Sequence, residues 1–306
     1  MKVKIKIPAT SANLGPGFDT LAIAWNLFLE IYIDTKYFEK RIIYLGEDIE
    51  KLDKNNNLFL KTLSKTFKIL GFEPNNYLIQ LKSQIPIGKG LGSSAAVIWG
   101  GIYSAEIISG KSLSKEEKFK LAFSLEGHFD NLAGAYNGGL TICNIENGML
   151  HIASFPYPED LRGLLFIPSY SLSTEESRSI LPKLYSREDI VKNLQSLAFL
   201  LAGFVYKDEK LIKLGLKDYL HQPYRFPLIP ESKFFLNKVI KEETLGVVLS
   251  GAGPSLLILV FRDKAESMKK FLEEELNRER IDGKILILDI CDKGIILEKI
   301  SMEGEA

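Results

Sequence analysis

Eleven consecutive residues concentrate the chemistry of this chain: Pro86, Ile87, Gly88, Lys89, Gly90, Leu91, Gly92, Ser93, Ser94, Ala95 and Ala96. Glycines at three alternate positions let the backbone turn tightly and bring its amides close to a ligand. The small residues that follow open an apolar segment, Val97 to Ile108, which reads as a buried helix. A glycine-rich loop feeding a helix N-terminus is a cradle for phosphate, because unpaired N–H groups and the helix dipole both face the anion. The stretch matches neither common nucleotide fingerprint. No lysine followed by Ser or Thr closes it, as G-x-x-x-x-G-K-[ST] requires, and its glycines are not spaced G-x-G-x-x-G. These residues alone allow either a phosphate loop or a flexible turn before a buried helix.

The elements that must carry this loop follow from hydrophobic periodicity. Val3, Ile5 and Ile7 mark one strand, and Leu29 to Phe38 a second. Leu58 to Leu70 has helical spacing, and Tyr77 to Lys82 alternates as the strand entering the loop. Ser114-Lys-Glu-Glu117 is a capping-box pattern that starts a helix running to Glu126. Gly138 to Cys143 and Met149 to Phe155 suggest a hairpin, and Pro156 and Pro158 then punctuate the chain. The second half reads as strand Gly163–Ile167, helix Ile190–Val205 behind the caps Ser186 and Asp189, strands Gly246–Leu249 and Leu256–Phe261, helix Lys264–Leu276 and a last strand Ile285–Leu288. That β-α-β-β-α-β order is the ferredoxin-like pattern with extra helices inserted. An α+β protein of two domains is expected, divided near residue 157. The acidic tail, Glu303 to Ala306, is expected to fray.

Composition narrows the function. At 306 residues, 46% hydrophobic and 25% charged, the chain has material for two globular domains. Lys plus Arg and Asp plus Glu both number 39, which argues against a nucleic-acid footprint. Cys143 and Cys291 stand in unrelated contexts, so neither a disulfide framework nor a zinc site is expected, and a reducing cytoplasm is the natural compartment. No apolar run approaches the ~20 residues that cross a membrane. The N-terminus alternates charged and β-branched residues, unlike a signal peptide.

The glycine loop resembles the phosphate-binding motif of the GHMP kinases, P-x-x-x-G-L-G-S-S-A-A. Two further segments extend the resemblance in the family's order. Pro8-Ala-Thr-Ser-Ala-Asn-Leu-Gly-Pro-Gly-Phe-Asp19 looks like the opening signature of the homoserine kinase branch, and Leu249-Ser-Gly-Ala-Gly-Pro-Ser255 like the third GHMP motif. The likeness spans nearly the whole chain. It implies a two-domain GHMP fold, with an N-terminal nucleotide-binding β/α domain at 1–157, a C-terminal ferredoxin-like domain at 158–306 and a cleft between them. It also implies ATP and Mg2+ as cofactors, L-homoserine as the acceptor, O-phospho-L-homoserine on the route to threonine as the product, and a homodimer.

The same resemblance assigns roles. Ser94 and Glu126 would hold the magnesium ion, an ion that takes hard oxygen ligands and keeps several waters. Without the motif, Ser94 would read as an N-cap and Glu126 as a solvated helix end. Arg178 and Arg225 stand in settings similar to the family's substrate-binding arginines, and a planar guanidinium grips a carboxylate at two points. Otherwise they would be surface ion-pair partners. Asn13 and Asp19 correspond to the amide and carboxylate around the substrate amino group. Their local reading is a turn, with Asp19 capping a following helix. His128 either contacts substrate or completes a polar turn. The opening signature lacks the lysine that many GHMP kinases pair with an aspartate, so Asn131 is expected to orient the acceptor hydroxyl, with Asp130 the alternative as a base. Phe129 and Gly134 stand where the family has prolines and are expected to loosen a loop. Kinases of mevalonate or sugars, and an ATP-binding regulator without turnover, remain as alternatives.

Overall fold

The computed structural model describes residues 1–45, 57–146 and 149–300. The chain opens with β1 (Lys2–Asn13) and β2 (Gly17–Asp34), followed by β3 (Lys40–Leu45), α1 (Leu58–Ile69) and β4 (Tyr77–Ser83). Helices α2 (Ser93–Ser109), α3 (Lys115–Glu126) and α4 (Asp130–Asn137) come next, then the hairpin β5 (Leu140–Glu146) and β6 (Met149–Phe155). The second half holds β7 (Leu161–Pro168), α5 (Thr174–Ser179), α6 (Arg187–Tyr206), α7 (Glu209–Gly215), α8 (Gln222–Arg225) and α9 (Ser232–Asn237). It closes with β8 (Gly246–Leu249), β9 (Leu256–Phe261), α10 (Arg262–Glu279), β10 (Gly283–Leu288) and β11 (Ile296–Lys299). The tail expected to fray, 303–306, lies outside the described residues.

Two sheets organise these elements. The first runs β11-β1-β2-β4-β3, with the β5–β6 hairpin joined to β2. The second runs β10-β7-β9-β8, which is the ferredoxin-like strand order expected from the pattern of the second half. On β7 the alternation of side chains splits the core: Leu165 and Ile167 pack with the first sheet, while Leu164 and Phe166 face the cluster under α10. Trp25, fully buried, lies against Gly163 and ties the sheets together. The molecule is a mixed α+β protein built on two sheets.

Several elements differ from the sequence expectation. β1 runs on to Asn13, and β2 begins at Gly17 rather than Leu29 and ends at Asp34. Ile7 to Asn13 of β1 and Leu21 to Trp25 of β2 are buried throughout, covered on both faces. A strand buried on two sides loses the alternation that would reveal it. β3 pairs parallel with β4, and β11 pairs antiparallel with β1, placing Ile5 opposite Leu297. The chain therefore does not end on Ile285–Leu288. Its last described strand returns to the first sheet, and being four residues long and mostly exposed it carries little hydrophobic signal.

Candidate active site

The capping box forms as the sequence indicates: Ser114 accepts from Glu117 N while Glu117 accepts from Ser114 N, which fixes where α3 starts, and left-handed Gly127 ends it just after Glu126. The glycine loop turns through positive φ at Gly88 (68°), Gly90 (73°) and Gly92 (66°) before α2 begins. A Cβ at Gly90 would collide with the Ser250 and Gly253 carbonyls, and one at Gly92 with Thr10 Oγ1. Those contacts require glycine at both positions.

Both sheets grip the loop. Thr10 N donates to Leu91 O at 3.1 Å, and Ser250 Oγ donates to Gly90 O at 2.7 Å. Ser250 has one hydroxyl proton, already given to Gly90, so Ser11 Oγ donates to it at 2.6 Å, and Ser11 accepts from Trp25 Nε1 at 2.9 Å. From the other side the Lys89 ammonium donates to Pro168 O at 2.8 Å, Ser169 O at 2.9 Å and Tyr170 O. Lys89 was expected among the phosphate-binding residues. Its backbone lines the cleft, but its amine staples the loop to the end of β7. Among the other residues of that motif, Gly88 to Ser94 line the cleft, whereas Pro86, Ile87, Ala95 and Ala96 do not, and both alanines are fully buried in the core.

The loop borders a cavity of about 120 Å³ that Glu126, His128, Asp130, Asn131, Arg178 and Arg225 also line. Ser94 Oγ donates to Glu126 Oε2. Burial holds the Glu126 carboxyl above its usual range, opposed by the Ser94 hydroxyl and His128. Glu126 is not a solvated helix end; its side chain is 8% exposed. His128 Nδ1 stands 3.8 Å from Glu126 Oε1 and has no hydrogen-bond partner, and burial together with Arg178 lowers its pKa.

Asp130 and Asn131 open α4. Thr10 Oγ1 donates to Asn131 Oδ1 at 2.7 Å, which turns the amide so that its nitrogen gives one N–H to Asp130 Oδ1 at 3.4 Å and keeps the second. Asn131 N donates to Asp130 Oδ1 at 2.7 Å. Burial, reinforced by the charge of Asp19, pushes the Asp130 carboxyl up to about 6. Phe129 and Gly134 were expected to loosen a loop, but they belong to the start and middle of α4. Phe129 stacks on Phe123 with ring centroids 4.1 Å apart, and a Cβ at Gly134 would come within 2.8 Å of the Ala22 Cβ. They pack this helix onto its neighbours.

Asp19 does not cap a helix; it stands in β2, in the left-handed region at φ 53°. Asn13, also left-handed at φ 74°, accepts from Asp19 N at 3.0 Å and donates to Gly251 O at 3.0 Å. That bridge carries the turn conformation from the first motif to the third. Arg178 grips Asp19 with two bonds, Nη1 to Oδ2 at 3.1 Å and Nη2 to Oδ1 at 2.5 Å. Arg225 is 1% exposed and is no surface ion-pair partner. Its Nε donates to Ser177 O at 3.1 Å and its Nη1 to His221 Nδ1 at 3.1 Å. A guanidinium only donates, so His221 carries its proton on Nε2, which donates to Gly15 O at 2.8 Å. Burial pushes His221 down to about 4, leaving the ring neutral at pH 7. The Asp218 carboxylate accepts from the backbone N–H groups of Leu220, His221 and Gln222 and so shapes the start of α8.

The sequence reading did not single out Thr10, Phe18, Ser177, His221 or Ser250 as site residues. Thr10, Phe18 and Ser250 lie inside quoted motifs, but their contacts link residues up to 240 positions apart in the chain and leave no spacing signal.

The fold and cleft together define a GHMP kinase. The family model for the GHMP kinases N terminal domain matches residues 57–139, and that for the GHMP kinases C terminal matches residues 197–278. A homoserine kinase of Carboxydothermus hydrogenoformans is 36% identical over 304 residues, covering 99% of each chain. The crystal structure of homoserine kinase from Cytophaga hutchinsonii superposes with a TM-score of 0.85 at 26% identity, covering 97% of each chain. A mevalonate kinase of Methanococcus jannaschii shares the fold at a TM-score of 0.69 and 21% identity, over 95% of this chain and 98% of that one. The chain belongs to the homoserine kinase family of the GHMP kinases.

Proposed function

We propose that this chain transfers the γ-phosphoryl group of ATP to the hydroxyl of L-homoserine, giving ADP and O-phospho-L-homoserine on the route to threonine. The observation that carries this reading is a set of charged groups suited to an amino acid: Arg178 and Arg225 line the same cleft as the phosphate loop, and Arg178 holds Asp19. A sugar offers no carboxylate for two arginines. The amides of Gly88 to Ser94 receive the phosphates. Ser94 and Glu126 bring a hydroxyl and a carboxylate together, hard oxygens that fit Mg2+, and burial of Glu126 favours a cation there. When bound, that ion neutralises phosphate charge.

The acceptor is held by the chain's own residues. Arg225, fixed by Ser177 and His221, keeps its free guanidinium edge for the carboxylate. Asp19, held by Arg178, takes the ammonium, and His128 lines the cleft beside Arg178. Asn131, turned by Thr10, orients the hydroxyl towards the γ-phosphate. A loose transition state asks little of a base, so proton loss is late or goes directly to phosphate. Residues 1–157 hold the nucleotide and 158–306 supply the arginines, with β11 returned to the first unit.

A second copy is the partner we assign to α6. Ile190, Val191, Leu194 and Val205, each at least 44% exposed, share one face of that helix. The two free cysteines and the absence, among the described residues, of a helix long and apolar enough to cross a membrane accord with a cytoplasmic compartment.

ADP release with Mg·ATP, comparing L-homoserine with L-serine, L-threonine, mevalonate and galactose, tests the reading. Fast turnover on homoserine alone is expected. Equal turnover on mevalonate or galactose removes the substrate assignment, and nucleotide binding without ADP release on any acceptor makes the chain a regulator.

A further inference from the structure

The two residues assigned to opposite ends of the acceptor are already bound to each other. Arg178 gives two N–H groups to Asp19, whose carboxylate would take the substrate ammonium, while the guanidinium itself would take the substrate carboxylate. We propose that this ion pair is a self-filled substrate site, a latch that a zwitterion opens without leaving a protein charge unpaired and that a substrate with one charge does not. The inference rests on the amino-acid acceptor proposed above and adds how that acceptor is selected.

Three observations support it. The first is the demand of the arginine pair for an anion. Arg178 and Arg225 both flank the Phe18 ring, with guanidinium carbons 5.5 and 5.3 Å from its centroid. Burial and the neighbouring Arg178 push Arg225 down to about 10. Two cations held this close need a counter-charge, and in the free protein Asp19 supplies it. The second is unused bonding capacity. The Arg178 Nε and the His128 Nδ1 are buried without a hydrogen-bond partner, so the cleft holds polar groups that the latch does not satisfy. The third is backbone strain at the aspartate. Asn13, Leu14 and Asp19 all adopt positive φ, at 74°, 45° and 53°, a conformation that non-glycine residues hold at a cost and that clusters at ligand clamps. The Asn13 side chain, bridging Asp19 N and Gly251 O, maintains it.

The charge arithmetic then sets specificity. A zwitterion replaces one internal ion pair by two, Asp19 with ammonium and Arg178 with carboxylate, and the net charge of the site is unchanged. A hydroxy acid without the amino group pairs with Arg178 but strands Asp19 beside the buried Asp130, whose carboxyl it already pushes up. An amino alcohol strands Arg178 beside Arg225. The pair is 35% and 41% exposed in the free protein, and it is the substrate closing over it that withdraws water and makes a stranded charge costly.

The substitution Asp19→Asn isolates the latch, because asparagine tolerates the left-handed region and keeps the shape of the side chain. The probes are L-homoserine and 4-hydroxybutanoate, which keeps the hydroxyl and carboxylate but lacks the ammonium. Wild-type enzyme is expected to prefer homoserine by about a thousandfold in kcat/KM. In Asp19→Asn the homoserine value should fall about a hundredfold, while 4-hydroxybutanoate should bind about tenfold more tightly than to wild type, because Arg178 is released. Equilibrium binding of 4-hydroxybutanoate by calorimetry reads the second effect even if the variant does not turn over, with thermal melting to establish that it folds. Unchanged or weaker binding of 4-hydroxybutanoate overturns the latch. Absence of homoserine turnover by the wild type would instead overturn the proposed function, which this binding comparison does not require.

Discussion

At the scale of single residues, the proposed chemistry turns on Asp130 and Asn131, adjacent in sequence and different in environment. Thr10 fixes the Asn131 amide, whose nitrogen gives one N–H to Asp130 and keeps the other for substrate, whereas Asp130 is buried and bonded to the Asn131 backbone and side chain. Asn131→Ala should lower kcat about a hundredfold and Asp130→Asn tenfold or less. Full activity in Asn131→Ala with a thousandfold loss in Asp130→Asn would make the aspartate the base. Asp130 also predicts a pH effect on stability. Its carboxyl is raised from 3.8 to about 6 in the folded chain, so the native state holds the proton more tightly than the unfolded one. That contribution is present below the unfolded value and is lost as pH rises through the folded one. Asp130→Asn should therefore gain about 1 kcal/mol of stability over wild type between pH 5 and pH 7.5, measured by urea unfolding at both. A constant difference would show that burial does not govern this group.

At the scale of elements, the glycine loop was legible because its requirement is local. Small residues, positive φ and a following helix are written in adjacent positions. The loop's partners were not legible. Gly90 is needed because of Ser250 and Gly253, more than 150 residues away, and Gly110 adopts a similar φ of 68° with nothing within 4 Å of where a Cβ would stand. Gly90→Ala should weaken ATP binding more than tenfold and destabilise the fold by about 2–4 kcal/mol, while Gly110→Ala should cost about 1 kcal/mol and leave ATP affinity unchanged. Calorimetric titration of ATP into both variants checks this, and equal affinities would remove the claimed clamp. The capping box of α3 was also read correctly, since both its partners lie within one turn. The first part of β2 was missed, and over Leu21 to Trp25 burial on both faces erases a period of two.

At the scale of the whole molecule, the phosphate loop belongs to neither sheet alone. β1 holds it through Thr10, the β8–β9 turn through Ser250 and the end of β7 through Lys89. Loop geometry is thus coupled to the packing of the two sheets. The exposed stripe on α6 carries the proposal of a second copy. Leu194 is 60% exposed at its centre, so Leu194→Lys should convert a dimer into a monomer in sedimentation equilibrium while leaving the thermal midpoint of the isolated chain nearly unchanged. A wild-type protein that sediments as a monomer would refute it.

The sequence by itself determined the chemistry that short spans encode. The glycine loop, the capped helix ending at Glu126, the alternating strands and the ferredoxin-like order of the second half each depend on residues within a few positions of one another. Only the tertiary structure decided which groups meet. It set Asp19 against Arg178, turned the Lys89 amine to the carbonyls at the end of β7, hung Arg225 on the Ser177 carbonyl and returned β11 to β1. Those outcomes follow from packing and charge pairing between segments far apart in the chain, where no periodicity or spacing reaches.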